Sequence, residues 1–244
     1  MYPGKGYWLF CTGNGVLRPV VRPSYSMTSV TIYTNASTFP SLPYRSEMHN
    51  AIRNRLTGSP GWSELFFQEE TAVDDSDFGT QNSVYHGLDE ADLHYHYGHG
   101  GISQEGSTYL PYTYWPNGDL NRNDVNKKWD LINRWVVFDA CSVLTDLQWG
   151  QALRYSHGIL GFSTQKTPTV DLPDRFLQNC IDNDYTIAYS WRRATEDIFS
   201  SDVTARVIFD TQDQMNNDHL TGQGTVAANE FPDDDVVYWA EWTC

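Results

Sequence analysis

Lysine is scarce in this chain. There are four, Lys5, Lys127, Lys128 and Lys166, among sixteen basic residues, set against thirty-one acidic ones for a formal net charge of −15. No concentrated basic face is available for a phosphate backbone, so nucleic acid is not an expected partner. Long hydrophobic runs are missing as well: nothing approaches the roughly eighteen apolar residues of a membrane span, and no membrane partner is expected. A secretory leader is not visible either. Lys5 precedes a five-residue apolar patch, residues 7–11, broken at once by Thr12, Gly13 and Asn14, whereas a leader core needs roughly 7–15 apolar residues. With Met1 as the native start the chain would be cytoplasmic; a secreted form that has lost its leader stays open. The four cysteines, Cys11, Cys141, Cys180 and Cys244, are widely spaced with no CxxC pair, which removes zinc-finger and thioredoxin readings. No GxGxxG or GxxxxGK[ST] follows any strand-like segment, and no GxSxG elbow exists, so nucleotide binding and serine-hydrolase chemistry are not indicated. No cofactor is expected.

What is present is a foldable core. Hydrophobic residues make up 40% and aromatic residues 14% of 244, too rich for disorder and enough to bury a core without disulfides. Residues 1–27 read as an irregular arm with one short strand at 7–11, and 28–244 as a single domain. The acidic excess, rich in Asp, is compatible with a salty or extracellular milieu and reads more simply as solubility through like charge. The tripeptide Asn35-Ala36-Ser37 fits a glycosylation sequon and carries no weight.

Hydrophobic spacing predicts strands at 29–34, 62–68, 92–98, 134–140, 159–163, 205–209 and 236–242. Helices are predicted at 46–56, 123–133, 145–155, 171–181 and 186–199. The stretch 102–118 reads as an aromatic loop broken by Gly and Pro, and the acidic 74–78 as a solvated turn without EF-hand spacing for calcium. Strands alternating with helices imply βαβ units, hence an α/β sandwich with a mainly parallel central sheet flanked by helices.

The candidate chemistry is His99 and Cys141. In such a sheet, reacting groups gather beyond the carboxyl ends of strands. His99 lies just past one predicted strand and Cys141 just past the next, with a single crossover helix between. Were those strands neighbours, about 4.8 Å apart, the imidazole could take the thiol proton. The helix predicted after Cys141 would lower the thiol pKa through its dipole, and N–H groups of Gly100 and Cys141 could form an oxyanion hole. Gly98 and Gly100 would supply positive φ and close approach around His99. The plainer alternative is a Gly-His-Gly turn and a buried, inert cysteine. Asp139 falls on the strand face of Cys141, where it would raise the thiol pKa, unless it caps the turn or pairs with Arg134 or Arg154. Tyr112 and Trp115, with Tyr109 and Tyr114, could wall a substrate groove. A rival metal reading takes Asp92, His94 and His96, at period two on one strand face, with His157 as a further ligand; packed polar aromatics explain that alternation more simply. Otherwise His157 reads as a helix C-cap.

The run YGHGG after one apolar strand and DACS after the next resembles the caspase-like (clan CD) cysteine peptidases, such as caspases, metacaspases, legumain, gingipains, separase and the bacterial CHAT proteases. The resemblance implies a caspase-like three-layer fold, His99 as general base, Cys141 as nucleophile and a peptide or protein substrate. Asp139 matches the metacaspase D-x-C pattern, which implies a pocket for a basic substrate residue. The caspase QACRG is not matched, since Ser142 and Val143 replace Arg and Gly. Residues 85–240 also resemble a microbial family that shares GHG and a cysteine-bearing strand end and has no established activity. The function expected is a cysteine endopeptidase. The alternative is a catalytically inactive, self-assembling interaction protein of the same fold, whose Tyr/Trp/Pro-rich arm and loops could dock on neighbouring copies to form a homo-oligomer.

Overall fold

The computed structural model of the chain describes residues 22–33, 39–58, 60–81, 83–105, 108–115, 118–130, 132–230 and 236–244, with 103–105 and 108–115 described by backbone alone. The expected strand at 7–11, Cys11 and the sequon lie outside the described residues.

Seven strands form the central sheet. In chain order these are β1 (Ser24–Ser29), β2 (Ser63–Glu69), β3 (Leu93–Tyr97), β7 (Trp135–Asp139), β8 (Gly158–Phe162), β9 (Thr204–Phe209) and β10 (Tyr238–Thr243). They lie in the order β10-β9-β8-β7-β3-β1-β2. The five strands from β8 to β2 run parallel, and β9 runs antiparallel to both its neighbours. Helices α1 (Arg45–Thr57), α2 (Asp171–Ile181), α3 (Ile187–Ile198) and the short α4 (Gln212–Asn217) pack against it. The molecule is therefore the mixed α/β class that the alternation predicts, with a mainly parallel sheet flanked by helices. Among the described residues no helix is long and apolar enough to cross a membrane.

The side-chain period of two separates the two faces. Leu93, Tyr95, Trp135, Val137, Leu160, Phe162, Ala205 and Val207 share one buried cluster with Met48, Ile52 and Leu56 of α1, Phe176 of α2 and Trp191 of α3. Val136, Phe138, Ile159 and Ile208 point the other way, into a cluster with Phe78, Val125, Trp129, Leu144 and Trp149. None of the buried residues of that second cluster comes from an α-helix; its cover is turns and short 3-10 helices, including Gln148–Ala152.

Several expected elements differ. Residues 123–133 and 145–155 form no α-helix: Trp129 and Leu153 are inside, but their backbones bridge each other instead of coiling. Thr145, the expected helix cap, donates to the Ser142 carbonyl (2.6 Å). The aromatic stretch at 102–118 is not a loop. It builds a separate antiparallel sheet of β4 (His99–Glu105), β5 (Thr108–Trp115) and β6 (Gly118–Asn121). Among the described residues the first strand is Ser24–Ser29, which begins in the expected arm and ends where the strand expected at 29–34 would start. The acidic 74–78 segment closes a 3-10 turn by a reciprocal cap between Asp74 and Asp77.

Candidate active site

β3 and β7 are parallel neighbours, with Tyr97 opposite Asp139. Two residues beyond each lie His99 and Cys141, so both emerge at one rim of the sheet. The crossover between them is the β4–β6 sheet and a series of turns, not the expected helix.

After Cys141 the chain reverses. Ser142 takes a left-handed φ of 59°, then Ser142 N–H donates to Thr164 O (3.0 Å) and Leu144 N–H to Phe162 O (2.9 Å). The first residue pairs with the later acceptor, so 142–144 runs antiparallel along the end of β8 and leaves Cys141 at the apex. The expected α-helix does not follow, which removes the dipole expected to act on the thiol. Among the described residues the Cys141 N–H has no hydrogen-bond partner. Its half-buried sulfur is bracketed by one residue: Sγ–H donates to Lys166 O (3.5 Å) and Lys166 N–H donates to Sγ (3.3 Å).

His99 opens β4 immediately after Gly98. Its ring packs on Tyr33 (4.6 Å between centroids) and Phe39 (5.1 Å). Its backbone N–H donates to the Tyr33 hydroxyl (2.8 Å), which in turn donates to Val30 O. Nε2 lies 2.8 Å from Pro40 O. A carbonyl only accepts, so Nε2 carries the proton and the neutral ring has its lone pair on Nδ1. Burial lowers the His99 pKa; the Pro40 carbonyl opposes this and the Lys166 ammonium adds to it. The imidazole is therefore neutral, and able to accept a proton, near pH 7.

The glycines act through space and not through φ: neither Gly98 nor Gly100 is left-handed. A Cβ on Gly100 would lie 2.3 Å from the Cys141 carbonyl oxygen and 2.6 Å from Val143 Cγ2. The two strand ends touch through that missing side chain. Gly100 also sits in the β4–β5 ladder, opposite Thr113.

Asp139 is not where a substrate would meet it. Its side chain is fully buried, it forms an ion pair with the Lys166 ammonium, itself 3% exposed, and Oδ2 accepts from the Tyr95 hydroxyl (2.8 Å). The expected partners are engaged elsewhere, Arg134 with Asp92 and Arg154 with Asp130. The pocket for a basic residue inferred from D-x-C is thus filled by the chain's own lysine. Tyr112 and Trp115 belong to β5, opposite Asn121 and Gly118; their side chains lie outside the described residues. A cleft of about 730 Å³ runs beside Lys166, lined by Thr167, Asp171, Arg175, Phe199 and Asp202 among others, and its walls do not include His99 or Cys141.

The rival metal set does not converge. Asp92 accepts from Ser24 N–H and pairs with Arg134. His94 uses both ring nitrogens on Ser26 (2.8 Å) and Thr28 (3.1 Å), and His96 Nδ1 meets Thr28 (2.8 Å). His157 is no helix cap: it is buried between Asp218 (2.7 Å) and Asn229 (2.9 Å). Among the described residues no three His, Cys, Asp or Glu side chains could hold one metal ion.

Sequence reasoning missed Tyr33, Phe39, Pro40 and Lys166. Spacing gave no signal for Lys166: only the adjacency of β8 to β7 brings the residues past its end to the rim with Cys141.

Fold and rim together define a mixed α/β domain with a histidine and a cysteine at the adjoining ends of parallel strands. Residues 29–242 match the model of DUF6345, a domain of unknown function, and the chain belongs to that family. No curated protein matches it. Among solved structures it is similar to a secreted C11 cysteine protease from Bacteroides thetaiotaomicron, determined in complex with an irreversible peptide inhibitor. The identity is 14% and the TM-score 0.47, over 77% of this chain and 66% of that one.

Proposed function

We propose that the chain is a cysteine endopeptidase in which Cys141 attacks the peptide carbonyl and His99 moves the proton. The observation that carries the reading is the β3–β7 register, which sets His99 and Cys141 at one rim, with the Pro40 carbonyl leaving the lone pair on Nδ1. In the proposed cycle Nδ1 takes the thiol proton and Sγ forms a bond to the carbonyl carbon. The oxyanion meets the N–H of Cys141; the Gly100 N–H, one residue after the His99 N–H that turns to Tyr33, faces β5 in the ladder. The imidazolium then protonates the leaving amine as the C–N bond breaks. Water, deprotonated by the same imidazole, hydrolyses the thioester and restores the thiol. The substrate is a peptide or protein. Its selection does not run through Asp139, whose charge is already met by Lys166.

A positional peptide library tests this on wild type and Cys141→Ala. The variant is expected to lose at least about 10³-fold in cleavage; undiminished cleavage would overturn the reading. Iodoacetamide supplies a second measure. Burial pushes the Cys180 thiol up to about 12 and also raises that of Cys244, so among these three Cys141 is expected to alkylate fastest near neutral pH. Equally slow alkylation at all three, with a homo-oligomer by size-exclusion chromatography, would favour the non-catalytic assembly reading.

A further inference from the structure

The chemistry above does not use the buried ion pair of Asp139 with Lys166, the residue whose backbone brackets the sulfur. We propose that Lys166 is a positioning residue for Cys141: its backbone brackets the sulfur, and its ammonium offsets the Asp139 carboxylate so that a thiolate can form beside it. The inference rests on reading Cys141 as the nucleophile.

The backbone half follows from two contacts. In the thiol, S–H donates to Lys166 O at 3.5 Å while Lys166 N–H donates to sulfur at 3.3 Å. Deprotonation gives up the first bond and strengthens the second, because a donor to an ionised acceptor makes the stronger bond.

The charge half follows from the titratable groups on the elements that meet at Cys141. From the end of β7 comes Asp139, two residues before Cys141 and fully buried. From β3 come Tyr95 and Tyr97, both buried phenols with pKa values raised by burial, hence neutral. From the start of β4 comes His99, kept neutral as described. From the segment after β8 comes Lys166, its ammonium on Asp139 and over the rings of Phe162 (5.4 Å) and Phe199 (5.9 Å). Among these described groups the charged ones are the paired carboxylate and ammonium of Asp139 and Lys166. Alone, the anion would oppose a thiolate two residues away; with Lys166 in contact the pair presents little net charge.

The measurement is the pH dependence of Cys141 alkylation by iodoacetamide, followed by peptide mass spectrometry on the full chain. The variants are Asp139→Asn, Lys166→Met and the double variant, with circular dichroism to establish folding. Asp139→Asn keeps the cation and removes the anion, so its rate–pH midpoint is expected to fall by about one unit, a tenfold faster reaction below the midpoint. Lys166→Met is expected to raise the midpoint by a similar amount, and the double variant to return near wild type. Lys166→Met leaves a buried anion unpaired and can fail to fold. The comparison of Asp139→Asn with the double variant then decides: a midpoint about one unit higher in the double variant supports the role, and equal midpoints overturn it. Alkylation needs no substrate. Failure of the peptidase reading, seen as undiminished cleavage by Cys141→Ala, is therefore distinguishable from failure of this one.

Discussion

At Gly100, what matters is the absence of a side chain. The sequence pattern GHGG singles out this position, and the expected reason, positive φ, is not the one the structure gives. The φ is ordinary; the space is not. A methyl group here would press on the Cys141 carbonyl and on Val143 at 2.3 and 2.6 Å, and a backbone oxygen in a paired turn cannot swing aside as a side-chain tip would. Gly100→Ala is expected to lower the urea unfolding free energy by about 1–3 kcal/mol, the usual cost of overpacking, and to slow Cys141 alkylation by moving the apex. An unchanged midpoint and alkylation rate would show that the strand ends separate freely. His99, Gly100 and Cys141 could be picked out because each lies two or three residues past the end of a strand that the sequence pattern reveals. Lys166 could not be found by spacing to Cys141, 25 residues away; only the strand order β8-β7-β3 makes them neighbours.

The least legible element is β1, and the reason is chemical. Its inward residues on the second face are Ser26 and Thr28, not apolar ones, because their partners across the pair are His94 and His96. Phe78 stands edge-on to both imidazoles at 5.3 Å. Hydroxyls that satisfy buried imidazoles erase the apolar alternation that marks a strand, so the β-branched 29–34 drew the prediction instead. This network has a pH consequence. Burial lowers His94 well below the ordinary imidazole value and His96 to about 3. Between those folded values and about 6.5 the unfolded chain binds protons that the folded chain does not, so stability falls on acidification, by about 1.4 kcal/mol per pH unit for each histidine. Asp77, pushed up to about 6 mainly by burial, has the opposite sign: acidification from about 6 towards 3.8 favours the folded state, which takes up the proton first. Asp92, also raised mainly by burial, acts in the same direction as Asp77, but both histidines resist protonation from about 6.5 downward. Urea unfolding at pH 7, 6 and 5 is expected to show falling stability. His96→Gln should lower stability at pH 7 yet shrink the loss per unit between pH 6 and 5 by about 1.4 kcal/mol. Identical slopes for both proteins would show that His96 titrates normally.

Across the whole molecule the two sheet faces are unequal. The parallel run was legible because a single connection between strands returns the chain to its starting end. Two successive helices, α2 and α3, between β8 and β9 leave it at the finishing end instead, and β9 is antiparallel for that reason. The second face was misread because Val125, Trp129 and Ile132 have helical spacing, although Trp129 spends its backbone N–H on Ala152 O and its indole N–H on Phe78 O. Face one is closed by hydrogen-bonded helices of 11–13 residues. Face two is closed by turns whose longest regular piece in residues 122–155, β7 aside, is a five-residue 3-10 segment. Elements with few repeating backbone bonds open locally, whereas packed helices open with the whole fold. Hydrogen exchange in low urea is therefore expected to divide the molecule. Peptides from α2 and α3 should exchange with the full urea dependence of global unfolding, and peptides from 122–130 and 142–155 faster and with little dependence. Equal urea dependence for both sets would mean that face two is bound as tightly as the helices. The turn carrying Cys141 begins that second set, but Arg206 donates to the carbonyls of Leu144 and Thr145 (2.7 and 2.9 Å) from β9. Exchange at 142–145 is accordingly expected to be slower than at 148–155, and Arg206→Met to remove the difference.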